Sequence, residues 1–336
     1  MIEMKRLPLA ALAAAFAAAT FLQMIVDAKT FRMVLLLSNK SLAYKAAEKL
    51  AEHVKEKTGG AYTIKLFPSQ QLGSGKEMMQ MLKLGTLDLY QGTNAQPTLL
   101  KEGRNFGVTA APYAFQSQQE FLKFFDSPLF AEMVAQLGAG GVRWVGYMGA
   151  RSPRAITTAK TPVRGPADMN GLKMRVPGSP PFIAFFKALG AIPTPMPFSE
   201  FFTAARTGLV EGQDNGIEVV YPRGLYSVQK YFSKTDHALG AWMAYVGEKK
   251  WQSWPDSLKK AVGEGMKTAA AYSDAELAKS MAAAFKGVRE KGMTVLEVDK
   301  KPFIDVARKV WKSLDGTSWD KGFMDRVQKQ LAEYRK

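Results

Sequence analysis

A few arginines, an asparagine and two carboxylates carry most of the chemistry this sequence offers. Arg175 stands in GLKMRVPGSP (Gly171–Pro180), where Leu172, Met174 and Val176 alternate with Lys173 and Arg175 until Pro177-Gly178. The alternation predicts a short strand ended by the Pro-Gly pair, with Arg175 near its end. Arg151 and Arg154 flank Ser-Pro at the start of a second short strand, RAITT, and Asn215 lies in EGQDNG (Glu211–Gly216), directly before the apolar run IEVVY. Guanidinium groups form planar two-bond contacts with carboxylates, and an asparagine offers both a donor and an acceptor. Brought to one cleft, these residues suit a small organic acid. Each also has a plainer reading, the arginines as solvated strand ends and Asn215 as a helix N-cap.

Other chemistries find little support. The chain has no cysteine, and its histidines, His53 and His237, lie far apart with no HExxH, so neither a thiolate nor a His-rich metal site is expected. QQLGSGKE follows a phosphate-loop pattern only briefly, since Gln70 stands where its first glycine belongs and Glu77 follows Lys76;. GAGGVR puts Arg143 where a dinucleotide loop needs its last glycine. Asp214 and Glu218 could share a helix and mimic a catalytic carboxylate pair, yet nothing supplies the distinct environments acid–base work requires;. No catalytic residue, cofactor or metal is expected. The net charge of +16 raises the question of nucleic acid;. The lysines, however, are interleaved with acids, as in EHVKEK. That pattern suits a solvated surface that speeds encounters with small anions.

The elements that must position these residues alternate between strand and helix. KTFRMVLLL, YTIKLFP and TLDLYQG read as strands, with helical stripes such as Ala43, Ala46, Ala47, Leu50 and Val54 between them;. VRWVGYM, RAITT and LKMRV resume the pattern, which predicts α/β architecture with parallel pairings;. Pro255–Phe285 reads as one helix of roughly 45 Å, long enough to run across two lobes, with Gly263 and Gly265 placed to bend it;. At the N-terminus, Lys5 and Arg6 precede an apolar, alanine-rich run and Val26-Asp27-Ala28. This predicts a cleavable signal peptide over residues 1–28, export, and a mature start at Lys29.

From Phe31 to about Val298 the chain resembles the solute-binding proteins of TRAP (tripartite ATP-independent periplasmic) transporters. The resemblance rests on YKAAEKLAEHVKEKTGGAYTIKLFPSQQLG, LGTLDL, ADMNGLKMRVPGSP, GAIPTPMPFSEFFTAARTGLVEGQDN and YSVQKYFSKTDH, in that order. It implies a two-lobed α/β periplasmic binding protein fold with a cleft between the lobes and a long helix crossing both. It places the carboxylate-binding arginine on Arg175, a second arginine on Arg154, the asparagine on Asn215 and an aromatic against the ligand on Phe198. Leu36 and Thr93 stand where sialic acid binders carry polar or acidic residues. Arg151 would meet a second carboxylate or face water, and Tyr90 and Trp242 either wall the pocket or pack in the core. Expected lobes are 29–150 with 241–280, and 151–240 with 281–336. The implied partners are a small organic acid, such as a sugar acid, and membrane permease subunits, with the protein itself a monomer in the periplasm. A secreted enzyme acting on a sugar acid and a ligand sensor for a receptor remain the alternatives.

Overall fold

The computed structural model describes residues 28–336, so the expected signal peptide lies outside the described residues apart from Ala28. The strands are β1 (Lys29–Leu35), β2 (Tyr62–Phe67), β3 (Leu89–Thr93), β4 (Val142–Ala150), β5 (Arg154–Thr158), β6 (Lys173–Val176), β7 (Ile192–Pro195), β8 (Gly212–Asn215), β9 (Tyr231–Ala238), β10 (Ala241–Gly247) and β11 (Thr294–Glu297). They form two sheets, ordered β2-β1-β3-β10-β4 and β11-β9-β5-β8-β6-β7. Parallel pairings join β1 to β2 and β3, and β6 to β7 and β8, as the alternation predicts. However, β10 runs antiparallel to both β3 and β4, and β5 antiparallel to β8 and β9. The reason is connectivity. β4 leads through Arg151-Ser152-Pro153 into β5 of the other sheet, and β9 leads through Leu239-Gly240 back into β10. The two crossings lie side by side, with the Arg151 amide donating to the Gly240 carbonyl at 3.0 Å.

Each sheet is covered on both faces. In β1, Val34 enters one apolar cluster while Met33 and Leu35 enter another, the period-2 alternation of a strand buried on both sides;. Helix Leu42–Lys57 is capped by Ser41, whose hydroxyl accepts from the Tyr44 amide at 3.1 Å, and it buries Ala43, Ala46, Ala47, Leu50 and Val54;. Against it packs the long helix, Asp256–Glu290, 35 residues and one uninterrupted element. Gly265 does not bend it: a Cβ there would collide with Leu50 Cδ1, and one at Gly287 would enter the Tyr221 ring, so both glycines mark close packing.

The C-terminal segment departs from the expected assignment to the second lobe alone. Helix Lys301–Leu314 packs on helix Pro180–Ala188 and β9, but Trp319, Phe323, Val327 and Leu331 join Phe106, Phe130 and Met133 in the first lobe's core. Burying such side chains is worth about 1.5–3 kcal/mol each. The amphipathic face of helix Phe323–Tyr334 specifies burial but not which lobe supplies the partner surface.

Candidate functional site

Between the sheets lies a cavity of about 580 Å³, within the size range of small-molecule sites. The ends of β3, β6 and β8, the crossing segments and the loop after Phe67 line it. Arg151, Arg154, Arg175, Asn215, Phe198 and Thr93 all stand in its wall.

Arg175 is 4% exposed, so it is no solvated strand end. Met174 and Val176 enter the apolar core and turn Arg175 to the other face of β6;. Its Nε and Nη2 both donate to the Met196 carbonyl, at 3.1 and 2.8 Å, and its guanidinium carbon lies 5.4 Å from the Phe198 ring centre. No carboxylate pairs with it among the described residues. Burial pushes it down to about 10, partly offset by Asp214, so it remains charged at neutral pH. A buried, unpaired cation facing a cavity is stabilised by an anion that enters.

The other two arginines are paired. Arg154 donates from Nε to Asp214 Oδ2 at 2.5 Å and from Nη2 to the Asp214 carbonyl at 2.7 Å, with its guanidinium 4.7 Å from the Phe182 ring centre. His237 braces the same carboxylate, with Nε2 at 3.2 Å from Oδ2 and Nδ1 at 2.8 Å from the Thr235 hydroxyl. A Thr235 O–H donated to Nδ1 leaves the proton on Nε2, facing the carboxylate. Burial pushes the Asp214 carboxyl up, but Arg154 and His237 outweigh it and hold it below the usual carboxylate range. Arg151 donates from Nε to Glu218 Oε1 at 2.9 Å and from Nη2 to Asn215 Oδ1 at 3.1 Å. Burial pushes its guanidinium down, partly restored by Glu218.

Several expectations are corrected here. Asp214 and Glu218 do not share a helix, because Asp214 lies in β8 and Glu218 in the short helix Ile217–Val220, each with its own arginine. Asn215 is not an N-cap; Gly216 occupies that position. Arg151 does not face water, and its carboxylate comes from the protein. Tyr90 and Trp242 do not wall the cavity, since both faces of their sheet are covered and each is packed in a core cluster. Trp242 serves one layer back, its ring centre 4.5 Å from the Arg151 guanidinium carbon.

The first lobe contributes residues the sequence did not single out. The side-chain oxygens of Gln70 and Gln96 are buried in the wall and accept no hydrogen bond among the described residues. Ser69 and Gln70 both take positive φ, 62° and 56°, strained for residues other than glycine and common at ligand sites. PSQQLG signals a turn after β2 but not which side chain it aims inward.

Two α/β lobes, joined by adjacent crossings and a long helix and closing on a basic cavity, define a binding protein for a small anion. Residues 33–316 match the profile of bacterial extracellular solute-binding protein, family 7, and the chain belongs to that family. It is similar to a solute-binding protein of Roseobacter denitrificans, 30% identical over 280 residues, covering 83% of this chain and 85% of the relative. The 2,3-diketo-L-gulonate-binding periplasmic protein of Escherichia coli is 30% identical over 261 residues, covering 77% of this chain and 79% of the relative. A solved TRAP periplasmic solute-binding protein from Anaerococcus prevotii with bound D-glucuronate superposes with a TM-score of 0.84 at 26% identity, covering 91% of this chain and 99% of that one. Proteins of this family are substrate-binding components of transport rather than enzymes.

Proposed function

We propose that this protein is exported to the periplasm after cleavage near Lys29, captures a small hydroxylated monocarboxylate such as a sugar acid, and delivers it to the permease subunits of a TRAP transporter. The observation that carries the reading is Arg175, buried, unpaired with any carboxylate among the described residues, and set in the wall of the interlobe cavity. Arg175 binds the ligand carboxylate, Arg154 and the Asn215 amide support it, and Phe198 packs against the ligand. Thr93 and the Gln70 and Gln96 side chains line the cavity from the first lobe, polar groups suited to sugar hydroxyls;. The relatives' ligands, 2,3-diketo-L-gulonate and D-glucuronate, are acids of this kind.

A thermal-shift screen of the mature protein against an organic-acid library tests this. An acid present at about 100 Kd stabilises by about 2.7 kcal/mol, seen as a raised melting temperature. A screen in which no sugar acid or related monocarboxylate raises it contradicts the reading.

A further inference from the structure

We propose that the Arg151–Glu218 ion pair makes the cleft selective for singly charged acids, by cancelling a cation that would otherwise receive a second carboxylate. This rests on the reading of the cleft as a carboxylate site and adds which ligand charge it accepts.

Arg151 sits in the first crossing segment, in the cavity wall beside Arg154, Asn215 and Gly240. A second cation there is what a dicarboxylate needs. Its charge is already met, however, by Glu218, and the two side chains are 2% and 5% exposed. The Ser152 hydroxyl holds the other Glu218 oxygen, and Asn215 and the Trp242 ring occupy further directions of the guanidinium. Gly216 makes room for this, because a Cβ there would collide with Glu218 Oε2 and Ser152 Oγ. Arg154 is cancelled in the same way by Asp214. Of the cations in the wall, Arg175 is left for the ligand, with Lys76 exposed at the rim where solvent screens it;. Arg223 lies outside the wall, its guanidinium carbon 5.3 Å from the Phe198 ring centre and its Nη2 donating to the Leu36 carbonyl. A ligand with one carboxylate balances this wall. A second carboxylate would lose its hydration near Glu218 with no unmatched cation to receive it.

Calorimetry with matched probes tests the proposal. The first probe is the aldonate or uronate that the wild type binds most tightly, and the second is the aldarate of the same configuration, which adds one carboxylate. The wild type is expected to prefer the monoacid at least tenfold. Glu218→Gln keeps the side chain's shape and frees the Arg151 charge, so the ratio of the two Kd values should move at least tenfold toward the aldarate. The pair-deleting Arg151→Met/Glu218→Gln should bring the ratio back to within about threefold of wild type. Arg151→Gln, which leaves Glu218 uncompensated, should move it the opposite way and decides the matter if Glu218→Gln does not fold. A wild type that binds the aldarate as tightly as the monoacid, or folded single variants whose ratio stays within threefold of wild type, overturns the proposal while leaving carboxylate binding intact. A wild type that binds none of these acids removes the underlying reading and this proposal with it.

Discussion

With its Oδ1 held by Arg151 and Arg154 and one N–H given to Gln213 Oε1 at 2.7 Å, the Asn215 carboxamide has a single N–H left for a ligand. The oxygen must face the guanidinium groups, because the opposite flip would set an NH₂ against two cations. Asn215→Ala is therefore expected to weaken binding, and Asn215→Asp to weaken it more. The aspartate keeps the acceptor but removes the donor and cancels positive charge that the ligand needs. Calorimetry on the two variants ranks them, and an aspartate variant that binds better than the alanine variant contradicts the assignment. Asp214 gives a second prediction. Its folded pKa lies below its unfolded value, so its stability contribution is present above the ordinary carboxylate range and is lost as pH falls through the folded value;. The difference in urea midpoint between wild type and Asp214→Asn should be large at neutral pH and shrink below about pH 4. A difference that is constant from neutral to acid pH refutes this.

The long helix holds the two lobes' outer faces through two glycines of one kind and passes a third of another. Gly265 and Gly287 have no room for a Cβ, while Gly263 has nothing within 4 Å of one. Gly263→Ala should stabilise by about 0.5–1 kcal/mol through helix propensity. Gly265→Val should destabilise by about 1–3 kcal/mol through overpacking against Leu50. Denaturant midpoints would reveal the opposite signs, and equal shifts for the two variants would mean that propensity alone decides. The helix itself was legible in its periodic apolar residues, as were β1 and β6 in their alternation. Strand direction was not legible, because alternation is the same whichever way a strand runs, and β10 was not legible as a strand at all, since its residues are buried throughout and show no alternation. Alternation also does not reveal which face meets a cleft, which left Tyr90 and Trp242 ambiguous. The wall of the candidate site was legible in Arg175, Arg154 and Asn215. It was not legible in the partners that set their charge, since Arg151 meets Glu218 across 67 positions and Arg154 meets Asp214 across 60. Fold closure alone makes these neighbours.

At the scale of the whole molecule, the lobes are joined by the adjacent crossings at Arg151–Pro153 and Leu239–Gly240, the long helix, the C-terminal segment that packs on both, and contacts such as Arg223 Nη2 to the Leu36 carbonyl at 3.0 Å and the Thr98 hydroxyl to the Ser179 hydroxyl at 3.1 Å. Closure under the proposed function is a motion of the lobes about these connections, in which a ligand joining Arg175 on one lobe to the cavity wall of the other would favour the closed arrangement. Small-angle scattering should give a smaller radius of gyration at saturating ligand. An unchanged radius would count against closure while leaving binding untouched. The central claim is that one buried guanidinium selects the ligand by its carboxylate. Its most direct test is calorimetry of wild type and Arg175→Ala against the best sugar acid and the uncharged alditol of the same configuration. Removing one member of a buried charge pair costs about 2–5 kcal/mol, so Arg175→Ala should bind the acid about 30-fold or more weakly, with Arg175→Lys recovering part of the loss. The wild type's preference for the acid over the alditol should largely disappear with the guanidinium. If folded Arg175→Ala binds the acid within about threefold of wild type (about 0.65 kcal/mol) and still prefers it to the alditol, the account of this cleft is wrong.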